Sequence, residues 1–306
     1  MKNGQLQHLN PWQKVSMFFL IMFLGLTIAS LINHILGSFL LNSDEPFEIM
    51  NDLTRIDGIR MMKIGNLIVH LVAFIAPVIF LAKAFNFDPK EAIRFQRPEK
   101  NYWIWLPFAF IFLTLINDGL YAINHQIDFS VISGDLQKTF EYRQAIQEKT
   151  IYAYIGSTWK SYYSNLFLIA LIPAISEELL FRGLIQNLFS KATQNIWTGI
   201  LISAFLFALI HIQPFNFLPM FALAFCYGMI TAFTGSIWIT MALHFLNNAL
   251  TISLEHFQRM FGWSEVIIPD LISISLILTS FVAIIIVIRS KKLPSKWNET
   301  KGIYLR

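Results

Sequence analysis

The stretch VSMFFLIMFLGLTIASLINHILGSFLL, residues 15–41, decides the fold class, because it is predominantly apolar and contains no Asp, Glu, Lys or Arg. About 20 such residues are enough for a helix to cross a hydrocarbon core roughly 30 Å thick. The run is too long for the core of a signal peptide, and no clean small-residue cleavage pattern follows it. We therefore expect a retained first transmembrane span.

Seven further apolar runs follow along the chain, so about eight spanning helices are expected. Only helices satisfy their own backbone groups in lipid, and the sequence therefore predicts an all-α fold, a polytopic transmembrane helical bundle. No internal repeat or linker divides the chain, so residues 1–306 are expected to form a single integral membrane domain. The seven runs cover residues 64–84, 102–123, 162–189, 197–212, 217–233, 237–254 and 268–288.

Composition supports this class. Hydrophobic residues make up 55% of the chain, charged residues 14%, and the mean hydropathy is +0.55, which is far above that of a soluble domain. The net charge of +4 does not indicate a nucleic-acid partner, because the basic residues lie in loops and in the tail. Basic loop residues at 83–100 and a basic tail at 289–306 instead predict a multi-pass protein of the cell (plasma) membrane with both termini cytoplasmic. The loop 124–161 is expected outside, with an interfacial helix at 135–154.

The fourth run contains three ionisable residues within PAISEELLFR, residues 173–182. An ionisable residue inside a span costs roughly 2.5–3.5 kcal/mol on insertion scales and indicates a functional site by default. Glu178 and Arg182 are four residues apart, the favoured spacing for an ion pair on one helix face. Glu177 is rotated by about 100° from Glu178 and lacks that partner. Glu177 is therefore the better candidate for chemistry, and the pair beside it for a structural role.

Two other spans add polar groups. Phe207 and His211 share a face near the end of the fifth run, and His244 and Asn248 share a face of the seventh. The three spans together offer a carboxylate, two imidazoles and an amide. Such a set of groups can activate water and stabilise an oxyanion. These are the two requirements of amide hydrolysis.

The other polar residues in the spans are expected to have structural roles. His34 and His70 are expected to form helix-to-helix hydrogen bonds, and Asn117 with Asp118 to be structural more often than part of a substrate path.

No histidine is followed by Glu, so the H-E-x-x-H zinc motif is absent, and no G-x-S-x-G elbow or P-loop occurs. Serine, aspartyl and site-two-type zinc proteolysis are therefore poorly supported.

Three short motifs occur in order, E-E-x-x-x-R from Glu177 to Arg182, F-x-x-x-H from Phe207 to His211, and H-x-x-x-N from His244 to Asn248. Together they resemble the motifs of the CPBP intramembrane proteases, the CAAX proteases and bacteriocin-processing enzymes also called the Abi family. That family includes the prenyl-protein type II CAAX endopeptidases. The resemblance runs over roughly residues 168–254, inside a motif core at about 162–254.

The resemblance implies an endopeptidase that hydrolyses a peptide bond of a membrane-associated protein or peptide. It implies that Glu177 and His211 activate water, and that His244 and Asn248 bind the oxyanion. The supporting residues that it implies are Glu178, Arg182 and Phe207. Besides this substrate, the only partner expected is the lipid bilayer, and the oligomeric state is left open.

An older view of the family makes its members metalloproteases, with histidines as zinc ligands. Two alternatives therefore stay open. Either His211, His244 and Glu177 hold zinc, the one cofactor considered, or the same groups act without a metal. A non-catalytic scaffold or bacteriocin-immunity protein with this fold is the alternative function. A proton-coupled transporter is a third, although no repeated halves occur.

Prolines are expected to shape the surroundings of this site. Pro173, four residues before Glu177, removes a helical hydrogen bond and should kink the fourth span. Pro214 and Pro219 bracket a short turn after His211 and predict that the fifth and sixth spans form an antiparallel hairpin.

Overall fold

The computed structural model describes residues 4–86 and 93–262. Over these residues the secondary structure is helical and no strand is present, which confirms the all-α prediction. The predicted span 268–288 and the basic tail lie outside the described residues, and the single domain over 1–306 stays a prediction. The nine helices of the described part are α1 (Pro11–Leu41), α2 (Pro46–Asn51), α3 (Ile56–Ala84), α4 (Lys100–His125), α5 (Gly134–Tyr154), α6 (159–193), α7 (Ile196–Ile210), α8 (Phe217–Thr234) and α9 (Trp238–Phe261).

The helices account for every apolar run that falls within the described residues. Four are long and apolar enough to cross a membrane, namely α1, α3, α4 and α8 together with the 3-10 turn before it, and α7 is a shorter apolar helix. The chain is therefore an integral membrane protein. The identity of the membrane and the cytoplasmic placement of the termini stay predictions.

Two compact units make up the described part of the chain. Unit one consists of residues 4–86, 146–180 and 244–262, and unit two of residues 93–145 and 181–243. Unit one thus contains α1, α2 and α3 whole, together with the glutamates of α6 and most of α9. Unit two contains α4, α7 and α8 whole.

In unit one, α1 packs through small side chains. A Cβ added at Gly25 would lie 3.1 Å from Cα of Ala73 in α3, and one added at Gly37 would lie 2.8 Å from Cβ of Pro46. Between these two glycines, Asn33 Nδ2 donates a hydrogen bond to the carbonyl of Gly65 at 3.2 Å. Small residues allow helix backbones to approach closely in lipid, where no hydrophobic force pulls two apolar helices together.

Helices α3 and α6 both contain π-helical segments. His70–Ile75 ends two residues before Pro77, and Leu166–Leu171 ends two residues before Pro173. Proline has no N–H, and its ring clashes with the carbonyl four residues earlier in an α-helix. The wider π turn, with i→i+5 hydrogen bonds, accommodates that ring. The disturbance predicted at Pro173 therefore takes the form of a π-helical segment.

The C-terminal end of α5 is held by side chains from α3 and α9. The carbonyl of the last residue of α5 and the carbonyls of the next two residues accept hydrogen bonds from three basic side chains within unit one. Basic side chains often bind the last carbonyls of a helix in this way. The pairs are Lys63–Tyr154 (2.7 Å), Arg259–Ile155 and His256–Gly156 (2.9 Å). The helix predicted at 135–154 is thus present as α5, and its interfacial position stays a prediction.

In unit two, α7 and α8 pack against each other. The connection between them contains the 3-10 turn Pro214–Asn216, and it is anchored on α4. Asn124 Nδ2 donates to the carbonyl of Pro214 at 2.9 Å, and Asn124 Oδ1 accepts from the N–H of Leu218 at 2.7 Å. The predicted antiparallel hairpin is therefore confirmed.

Candidate active site

The two glutamates of α6 meet one histidine of α9 inside unit one. His244 Nδ1 lies 3.1 Å from Glu178 Oε1, and His244 Nε2 lies 3.8 Å from Glu177 Oε2. The exposed fractions are 7% for Glu177, 0% for Glu178 and 5% for His244. The imidazole is thus placed between two carboxylates, in surroundings where its charge-assisted hydrogen bond to Glu178 is poorly screened by water.

The two contacts differ in kind. Glu178 is within hydrogen-bond distance of Nδ1, so its carboxylate fixes the orientation of the ring and the proton on that nitrogen. Glu177 is beyond hydrogen-bond distance from Nε2. The carboxylate of Glu177 and Nε2 of His244 consequently face each other at 3.8 Å without a direct hydrogen bond.

A second histidine holds the turn that carries the glutamates. His70 Nδ1 of α3 lies 2.7 Å from Oγ of Ser176, the residue just before Glu177. Both side chains are buried, and the Ser176 hydroxyl also donates to the carbonyl of Ile172 at 2.8 Å. The helix-to-helix role predicted for His70 is confirmed. Sequence reasoning missed Ser176, since a small hydroxyl in an apolar run gives no signal.

Arg182, the basic residue of the first motif, lies in unit two and is 1% exposed. Its guanidinium lies over the rings of Phe207 (4.9 Å) and Tyr227 (5.3 Å), and Nη2 donates to the carbonyl of Ala224 at 3.1 Å. The described contacts of Arg182 are thus aromatic rings and a carbonyl. The ion pair with Glu178 stays a prediction. The sequence analysis missed Tyr227, although it is the one tyrosine of α8.

His211 ends α7 in unit two and is joined to Phe207 of the same helix. Its Nδ1 lies 2.7 Å from the carbonyl oxygen of Phe207, and the two rings are 4.8 Å apart. A carbonyl oxygen only accepts, so Nδ1 is the donor and carries a proton. Nε2 is then the nitrogen that a neutral ring can offer as an acceptor. The shared face predicted for Phe207 and His211 is therefore confirmed, and the catalytic role of His211 stays a prediction.

For the remaining residues that were singled out from the sequence, the structure shows isolated contacts. Asn248 is half-buried one turn after His244 on α9, so the two share a helix face as predicted. Asn117 Nδ2 lies 3.4 Å from Asp118 Oδ1 on α4, a long contact between neighbours. His34 is in ring contact with Phe47 at 5.7 Å. The roles of these residues stay predictions.

Among the residues that the structure describes, no group of three or more His, Cys, Asp or Glu side chains has the arrangement of a metal site. Zinc ligation by His211, His244 and Glu177 stays a prediction, and with it the metalloprotease assignment.

Residues 159–250 match the family model described as the Rce1-like type II CAAX prenyl endopeptidases. The matched segment is under a third of the chain, and every motif residue from Glu177 to Asn248 falls inside it.

Two proteins of Bacillus subtilis (strain 168) are also similar to the chain. "Uncharacterized protein YpbD" is 29% identical over 102 residues, which is 31% of this chain and 49% of that protein. "Putative membrane peptidase YdiL" is 22% identical over 186 residues, which is 60% of this chain and 70% of that protein. The match thus spans about half the length of YpbD. No solved structure matches the chain at a significant level. Over residues 159–250, therefore, the chain is similar to the Rce1-like type II CAAX prenyl endopeptidase family, as its three motifs predicted.

Proposed function

We propose that this protein is an intramembrane endopeptidase that hydrolyses a peptide bond of a membrane-associated protein or peptide. One observation carries the proposal. The buried His244 is held by Glu178 through Nδ1, while its Nε2 faces the carboxylate of Glu177 at 3.8 Å. The description of the matched family and the name "Putative membrane peptidase YdiL" support this reaction class at low identity.

In the proposed reaction Glu177 is the general base. Its carboxylate takes a proton from a water molecule, and the resulting hydroxide attacks the carbonyl carbon of the scissile bond. The proton then passes to the leaving amine nitrogen as the C–N bond breaks. Glu177 suits this role better than Glu178, because the described contacts of Glu178 include the hydrogen bond to His244.

His244 and Asn248 are proposed to stabilise the negative oxygen of the tetrahedral intermediate. The Nδ1–H group of His244 donates to Glu178. For Nε2 to donate to the negative oxygen as well, it must also carry a proton, so the His244 ring must be doubly protonated. The carboxylate of Glu178 would balance its charge, since Glu177 has by then taken the proton of the water molecule. The Asn248 amide, one turn further along α9, would supply the second donor.

His211 is proposed to assist in activating the water, since its Nε2 is the ring nitrogen left to accept a proton. Arg182 and Phe207 are proposed to support His211, because the guanidinium packs on the same ring that contacts the imidazole.

The proposal is tested with purified protein in lipid vesicles and a library of membrane peptides, with cleavage products identified by mass spectrometry. Glu177→Gln should reduce cleavage at least 100-fold, the usual scale for losing a general base. Glu141→Gln, an exposed glutamate of α5, is the matched control and should retain full cleavage. Identical products from the wild type and Glu177→Gln would refute the proposal and favour a scaffold or immunity role. A parallel series with a zinc chelator separates the zinc alternative, because loss on chelation with recovery on added zinc would assign ligands rather than a base.

A further inference from the structure

The outward face of α1 carries a polar stripe. Residues spaced alternately three and four apart form it, and at 100° per residue they lie roughly 120° around the helix from the buried face that packs on α2 and α3. Six of the seven are exposed and the last is half-buried. Five are polar, although the neighbouring exposed residues of α1 are large and apolar. This outer stripe consists of Gln13, Ser16, Leu20, Phe23, Thr27, Ser30 and His34.

Two of these polar side chains have no hydrogen-bond partner within the described part of the chain. Ser16 and Thr27 donate to carbonyls of their own helix at 3.2 and 2.9 Å, which satisfies them in lipid. Ser30 and His34 make no such bond within the described residues, and the ring of His34 lies 5.7 Å from that of Phe47. Ser30 lies near the middle of the span 15–41, where an unsatisfied polar group is costly.

The outer stripe also lines two open grooves in the surface of unit one. One groove, of about 460 Å³, has Gln13, Ser16 and Leu20 among its lining residues. The other, of about 600 Å³, has Thr27, Ser30 and His34 along its floor, with Phe47 of α2 at its edge. The pair therefore lies on a shallow, open part of the surface that another helix can approach.

We propose that the outer stripe of α1 is a dimer interface, and that its partner is α1 of a second copy of this chain. Spacing of three and four is that of a parallel two-stranded coiled coil, in which each helix presents the same residues to its twin. Two copies inserted in the same direction run parallel and are related by a two-fold axis, so the stripe meets itself.

The chemistry of the pair is self-complementary. A serine hydroxyl and a neutral imidazole are each both donor and acceptor, so Ser30 of one copy can bond His34 of the other. The two-fold axis repeats this bond, and all four side chains are satisfied at once. Interhelical hydrogen bonds from Ser and His are a common stabilising contact between helices in membranes.

Cysteine cross-linking tests the proposal on the full chain in lipid vesicles. Cys226 is the only cysteine, so Cys226→Ala gives a background without thiols. Thr27→Cys lies on the stripe, and its hydroxyl is already satisfied within α1. Ile28→Cys is the matched control, because Ile28 is 50% exposed on the same turn but off the stripe. We expect disulfide-linked dimers to form at least about fivefold faster with Thr27→Cys.

The role of the polar pair is tested by dimer dissociation, measured by energy transfer between labelled chains at increasing lipid-to-protein ratio. His34→Leu should raise the dissociation constant about 3- to 30-fold, the range for one interhelical hydrogen bond. His34→Gln, which keeps a donor and an acceptor, should restore most of the affinity. Equal cross-linking at both cysteines, or a monomer at every lipid ratio, would overturn the proposal. An intramolecular disulfide between Thr27→Cys and Ser275→Cys would also overturn it, because the stripe would then be covered by residues 268–288.

Discussion

Replacing Glu178 with Gln should destabilise this protein more than replacing Glu177 with Gln. The two residues are adjacent, and both substitutions conserve volume. Only Glu178 is within hydrogen-bond distance of His244, at 3.1 Å, and it is completely buried. The Glu177 carboxylate is 3.8 Å from the other ring nitrogen and 7% exposed.

The magnitude follows from these contacts. A hydrogen bond to a charged group contributes about 1.5–3 kcal/mol, and removing the charge from Glu178 sacrifices most of that. The amide oxygen of Gln can still accept from Nδ1, so the loss should stay at the lower end, about 1.5–2 kcal/mol. Glu177→Gln breaks no hydrogen bond to His244 and should change the free energy of unfolding by less than about 0.5 kcal/mol.

Reversible denaturant unfolding of the purified protein in detergent micelles, followed by tryptophan fluorescence, measures both free energies. In the cleavage assay the order of the two variants should reverse, with Glu177→Gln losing far more activity than Glu178→Gln. Were Glu177→Gln the more destabilising variant, or Glu178→Gln the less active one, the assignment of Glu178 to positioning and Glu177 to chemistry would be wrong.

Three further predictions concern stability and use the same unfolding measurement. Gly58→Ala places a Cβ against the carbonyl oxygen of Ile49 in α2 and should cost about 3 kcal/mol, whereas Gly134→Ala meets nothing within 4 Å and should stabilise by about 0.5 kcal/mol. Equal effects would contradict the close approach of α2 and α3. Arg55 lowers the pKa of Asp57 from 3.8 to about 2, so this pair stabilises the fold above about pH 4 and is lost as the pH falls towards 2. Asp57→Asn should therefore flatten the decline in stability over that range, and an unchanged slope would count against the pair. Arg182→Lys should cost about 1–2 kcal/mol because an ammonium cannot stack on two rings, and a neutral result would show that the stacking contributes nothing.

Hydropathy and spacing predicted the parts of this structure that depend on local sequence. The spans α1, α3 and α4 were predictable because lipid requires a long apolar helix, and sequence alone reports that property. The shared faces of Phe207 with His211, and of His244 with Asn248, follow from helical periodicity. The α7–α8 hairpin followed from prolines in a short connection.

Contacts between distant parts of the chain were not predictable in the same way. Glu178 and His244 are 66 residues apart, and only the packing of α6 on α9 brings them to 3.1 Å. The sequence interpretation gave Glu178 one partner, Arg182, because spacing within a helix is all that one helix reveals. The stack of Arg182 on Tyr227 depends likewise on the position of α8.

The π-helical segment in α3 makes the residue count of that helix matter as much as its composition. A π turn contains one residue more than an α turn, so deleting any one residue of His70–Ile75 would let the helix close into a regular α-helix. The part before the deletion would then rotate by about 100° relative to Ala76–Ala84. Lys63, whose ammonium holds the last carbonyl of α5, would point elsewhere. Homologous chains that keep this architecture should therefore preserve the length of α3.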